Sequence, residues 1–90
     1  MDKDKIKEDL RKKVPTFAKK VAPLYRWLGW KWAGVGVPSE ADIERELYRL
    51  IDNVIAQGLN SCSTGGLTVG INVPDKEAYM AFSVDECVYF

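Results

Sequence analysis

The apolar residues of this 90-residue chain change their spacing once, and that change limits what it can fold into. Through Ile55 they recur at steps of three and four, the face of a helix. From Leu67 onward they recur at every second residue, the face of a half-buried strand. Ile6, Leu10, Val14, Phe17, Val21, Leu24 and Leu28 fall within an arc of about 80° at 100° per residue. This predicts a helical segment over 4–28, with Lys12, Lys19 and Arg26 opposite the buried arc. Pro15 and Pro23 interrupt it. An internal proline costs roughly 3 kcal/mol, so the reading is a break near Val14, with Pro15 opening a second piece and Pro23 kinking it. Gly29 ends the segment, and Gly29–Pro38, rich in glycine, is a loop.

The second helix is expected over 39–57. Ser39 caps it, Glu40 and Asp42 place negative charge in its first turn, and Asp42 stands where a capping box has Glu or Gln. Ile43, Leu47, Leu50, Ile51, Val54 and Ile55 form its buried stripe, and Gly58 suits a left-handed end. Asn60–Gly66 reads as a polar turn-rich connection. Leu67, Val69, Ile71 and Val73, then Ala78, Met80, Phe82 and Val84, alternate on either side of Pro74–Glu77, which predicts an antiparallel hairpin over 67–84. Residues 87–90 are a bulged continuation or a short third strand. A two-stranded hairpin is marginal alone, so its apolar face must pack on the helices. The expected fold is one α+β domain of two layers, over residues 1–90: a broken N-terminal helical segment and a second helix on a C-terminal hairpin. An exposed strand edge would remain, and pairing across a homodimer would cover it.

Composition removes most site chemistry. The chain has no histidine, the commonest general base and metal ligand, so no catalytic set and no metal site are expected, and no cofactor. Its two cysteines, Cys62 and Cys87, make no disulfide framework, and whether they pair is open. The charged N-terminus lacks an apolar run, and no stretch approaches the ~20 residues of a membrane span, which predicts a cytoplasmic protein. Net charge is zero but uneven. Residues 1–31 hold ten Lys/Arg against four Asp/Glu, and residues 32–90 hold three against nine. Mutual attraction of the two halves explains this as well as a charged partner does. Acidic residues among the first nine weigh against nucleic acid and against a membrane surface.

Two stretches remain as candidate sites. Trp27, Trp30 and Trp32, interleaved with Arg26 and Lys31, suit a protein hot spot; core packing is the alternative, with Trp27 half-buried on the flank of the stripe. Ser61, Cys62, Ser63, Thr64, Gly65 and Gly66 combine hydroxyls, a thiol and two glycines, and suit a small-ligand loop. That loop follows a helix, however, and so faces the negative end of its dipole.

The segments Ala22–Trp30, Gly36–Ile43 and Ser63–Val69 give the chain a resemblance to short proteins encoded in phage and prophage genomes. The resemblance implies a small accessory protein that binds a host or phage protein or sequesters a small molecule, and it carries no functional residues with it. The expected function is non-enzymatic protein binding, accessory or inhibitory, through the Trp-rich stretch and the adjacent basic helix face of Lys12, Lys19, Lys20 and Arg26. The alternative is a nucleotide-like ligand at Ser61–Gly66.

Overall fold

Ser39 starts the second helix as its side chain predicts. Its hydroxyl accepts from the Asp42 N–H at 3.2 Å, and the Asp42 carboxylate accepts from the Ser39 N–H at 2.9 Å, a complete capping box. The Ser39 N–H, and the Ser39 hydroxyl donating to the same carboxylate oxygen at 2.9 Å, hold the Asp42 carboxyl below the usual carboxylate range. In the computed structural model, which describes residues 3–58, 60–72, 77–83 and 87–89, this helix is α2, Glu40–Gln57. It ends at Gly58, whose left-handed backbone lets its N–H reach the Val54 carbonyl. Ile43, Leu47, Leu50, Ile51 and Val54 are buried, as their spacing requires.

The N-terminal segment departs from expectation. It is one unbroken helix, α1, Lys3–Leu28, with Pro15 and Pro23 inside it. Two internal prolines cost about 3 kcal/mol each. An in-phase helix buries Ile6, Leu10, Val14, Phe17, Val21 and Tyr25, each worth about 1.5–3 kcal/mol, and that sum outweighs the cost. The carbonyls that lose their donors belong to Arg11 and Lys19, both exposed residues that water can reach, and both proline rings are on the exposed side. The buried face also rotates near the end: Ala18, Ala22 and Tyr25 are buried, whereas Leu24 is half-buried and Leu28 is 43% exposed. Lys12, Lys19 and Arg26 face solvent as predicted.

The stretch read as a connection is a strand. β1, Ser61–Thr64, joins β2, Leu67–Asn72, through the two-residue turn Gly65–Gly66, and both glycines have positive φ, 57° and 88°. That is the type I′ geometry that closes tight hairpins. β3, Glu77–Ser83, and β4, Cys87–Tyr89, complete an antiparallel sheet of order β1-β2-β3-β4. The tail is therefore a strand of its own, paired with β3. Of the turn expected at Pro74–Glu77, Glu77 opens β3, and residues 74–76 lie outside the described residues, as do Val73, Val84 and Phe90.

One face of the sheet carries Leu67, Val69, Met80 and Phe82, which join the buried residues of both helices in one core. α1 lies against β3, and α2 lies against β1 and β2. On the other face Gly70 leaves room for the Tyr79 ring, which a Cβ at residue 70 would meet at 2.6 Å. The helices are joined at the surface too. Asp52 of α2 lies 3.4 Å from Lys7 and 3.9 Å from Arg11, and Arg11 sits 5.3 Å over the Tyr48 ring. The basic and acidic halves thus attract one another, as one reading of the charge pattern expects. Such exposed pairs are worth about 0–1 kcal/mol each, so the apolar core decides the packing. Among the described residues no helix is long and apolar enough to cross a membrane.

The continuity of α1 is testable. Pro15→Ala restores an N–H toward the Arg11 carbonyl inside a helix and should stabilise the protein by about 1–3 kcal/mol in denaturant unfolding. A chain broken at Val14 would gain nothing.

Candidate functional site

The end of α1 decides where each aromatic residue goes. Gly29 takes a left-handed φ of 66°, its N–H reaches the Arg26 carbonyl at 3.2 Å, and the Trp30 N–H reaches the Tyr25 carbonyl at 3.1 Å. This is a Schellman ending, in which the residue beyond the glycine folds back on the last buried turn. Accordingly the Trp30 ring lies 5.7 Å from the Tyr25 ring. Trp27 is two residues beyond Tyr25, about 200° around the helix, and so points outward. It is 82% exposed, which corrects the expectation of a half-buried side chain.

Trp32 returns the chain toward the core. Its main chain pairs with Gly36 in both directions, at 2.7 and 3.0 Å, so residues 33–35 form a tight turn with Val35 at its tip, 51% exposed. The Trp32 ring meets Tyr25 edge-on at 5.5 Å, and Tyr25 meets Phe82 of β3 at 4.8 Å. Trp30 and Trp32 are half-buried against this cluster, the packing role weighed for them from sequence.

The two sequence-predicted stretches meet here. Tyr25 Oη donates to the Gly65 carbonyl, and Trp32 Nε1 donates to the same oxygen at 3.2 Å. Gly65 is required twice over, because its φ is positive and an added Cβ would lie 2.6 Å from Trp32 Nε1. The remaining members of the stretch are taken up by β1. Cys62 and Thr64 lie on the helix side of the sheet and are half-buried, and Ser63 Oγ shares a hydrogen bond with Thr68 Oγ1 at 2.8 Å on the far side. Cys62 is a free thiol. Cys87 belongs to the opposite edge strand, three strand spacings or about 14 Å away, beyond disulfide reach.

Beside the Gly65 turn lies an open groove of about 490 Å³, bounded by Trp30, Lys31 and Trp32, by Ala33 and Val35, by Glu46 and Arg49 of α2, and by Thr64 and Gly65. Arg49 Nε donates to Glu46 Oε1 at 2.9 Å, and Arg49 Nη2 contacts the same oxygen. That pairing raises the Arg49 pKa above its ordinary value. The groove therefore holds a cation, Lys31, an internal ion pair, and the edges of two indoles. A larger groove, about 520 Å³, lies along α1 over Phe17 and Met80 between Lys12, Lys13 and Lys20. It contains neither predicted stretch. Among the described residues no group of His, Cys, Asp or Glu is arranged to hold a metal ion. The chain matches no protein-family model, and no curated protein or solved structure shows significant similarity to it.

Tyr25 is the residue that sequence reading undervalued. Burial pushes its phenol pKa well above the ordinary value, the Glu46 charge adds to the rise, and the Trp32 contact opposes it. A raised pKa ties stability to the neutral phenol. That stability is complete below about pH 10 and is lost as pH climbs toward the folded-state value. Tyr25→Phe should cost about 0.5–1.5 kcal/mol at pH 7, since Trp32 still donates to Gly65. In unfolding measured from pH 7 to 11, the variant should lack the part of the alkaline loss that the wild-type phenol causes.

Proposed function

We propose that this chain is a small non-enzymatic protein-binding module, of the accessory kind found in phage genomes, acting in the cytoplasm on a host or phage protein. The contact surface is the tip of α1, where Trp27 and Leu28 are exposed beside Arg26, with the exposed Lys31 in the loop that follows. The observation that carries this reading is the exposure of Trp27, 82%, on a rigid Schellman ending. An indole left 82% exposed buries little surface and so adds little to the fold. Tryptophan and arginine are enriched where binding energy concentrates, and exposed apolar groups gathered at one place mark interaction surfaces. Trp30 and Trp32, half-buried against Tyr25, then contribute packing at the end of α1 rather than contact area.

Trp27→Ala should leave stability within about 0.5 kcal/mol, as surface substitutions do. It should also weaken capture of a specific partner by about 30-fold or more, the loss expected for a hot-spot residue. Affinity capture from bacterial lysate, with the variant and the wild type side by side, reads both. Equal capture of every specific partner by the variant sinks the reading.

The groove at Gly65 supports a second reading, a nucleotide-like ligand. It would stack on Trp30 or Trp32 while Lys31 and Arg49 meet its anionic group, and Thr64 supplies a hydroxyl. A ligand present at 100 times its Kd would stabilise the fold by about 2.7 kcal/mol. A nucleotide panel that leaves the melting temperature unmoved would remove this reading.

A further inference from the structure

β1 is an edge strand with an open outer side. The Ile71 N–H donates to the Asn60 carbonyl at 2.8 Å, and these two residues stand opposite one another in the register of β1 and β2. Antiparallel pairs alternate between hydrogen-bonded and non-hydrogen-bonded. Cys62 therefore turns its main-chain groups toward β2, whereas Ser61 and Ser63 turn theirs outward. Both serines are exposed, and among the described residues no main-chain bond reaches them from outside the hairpin. The strand reads Ser-Cys-Ser-Thr: no charge, no proline and no bulge, none of the devices that keep an edge from pairing. The flank of α2 beside it carries Glu46 and Arg49, one charge of each sign, so two copies brought together there meet no net repulsion.

We infer that β1 is a self-pairing edge and that the chain forms a two-fold dimer through it. The outward groups of Ser61 and Ser63 are self-complementary in an antiparallel arrangement. Ser61 of one copy exchanges both main-chain bonds with Ser63 of the second copy, and the reverse pair follows by symmetry. This register uses every outward group of β1. It places Cys62 on the two-fold axis, facing Cys62 of the second copy in a non-hydrogen-bonded pair with Cα atoms about 4.5 Å apart, within disulfide range. The result is a continuous sheet through both copies, with the Trp27 tip left free.

Sedimentation equilibrium on the full chain from 1 to 200 μM should show twice the monomer mass at the upper end. Ser63→Pro deletes an outward N–H in each copy while sparing the β1–β2 ladder, and should raise the dimer dissociation constant at least about tenfold. If circular dichroism shows that this variant has lost its fold, Ser61→Pro removes the other outward N–H and replaces it. In a Cys87→Ser background, mild oxidation should link Cys62 to Cys62 and give a covalent dimer on a non-reducing gel. Trp27→Ala should dimerise like the wild type, which separates this surface from the binding tip. A wild-type monomer throughout that range, or a dimer that a folded proline variant keeps unchanged, overturns the inference. A proline-sensitive dimer that never links through Cys62 overturns the register.

Discussion

The carbonyl of Gly65 is the joint on which the upper end of the molecule depends. Tyr25 reaches it from the last buried turn of α1, and Trp32 reaches it from the loop that follows. Both donors are part of the aromatic cluster that covers Phe82. The oxygen can be there only because Gly65–Gly66 closes β1 onto β2 with two positive φ values, and because residue 65 has no Cβ to strike the indole. A two-residue turn, a helix ending and a loop are thus satisfied by one another. Two hydrogen bonds to one acceptor are modest in net energy, but the alternative is a buried phenol with no acceptor, which costs about 1–3 kcal/mol.

Much of the fold was legible in the residues. The box of Ser39 with Asp42 and the left-handed Gly58 bracket α2 as their chemistry requires. The change of period at Leu67 marks β2, and the alternation through Phe82 marks β3. β1 escaped notice because its helix-facing positions are Cys62 and Thr64, too small and too polar to register as an apolar alternation. The signal that was present is the Gly-Gly pair flanked by β-branched or apolar neighbours, a hairpin mark in its own right. The prolines misled for a different reason. Their penalty is local, whereas the stripe that spans them draws its energy from the whole core, and the larger sum prevails.

The candidate site was legible as two separate stretches but not as one place. Nothing in the order of the residues brings Trp32 to Gly65, thirty-three positions away. The split among the tryptophans follows from helix geometry. Tyr25 and Trp27 lie about 200° apart, so when one is buried the other is exposed, and the buried choice belongs to the residue that can join Trp30 through the Schellman ending. A stripe counted through Leu24 and Leu28 misses this, because over seven turns the buried face drifts toward Tyr25 and away from Leu28.

The three indoles also make the protein its own optical instrument. Trp27 is mostly exposed, where a soluble quencher meets it freely, while Trp30 and Trp32 are half-buried against the Tyr25 cluster and less open to it. Emission therefore divides into two populations with separate meanings. The quenchable, red-shifted part reports what touches the end of α1. The less open part reports whether the Gly65 turn is still seated beneath Trp32. Two events at one end of a small molecule, contact from outside and loosening from within, can be followed in the same cuvette without a label.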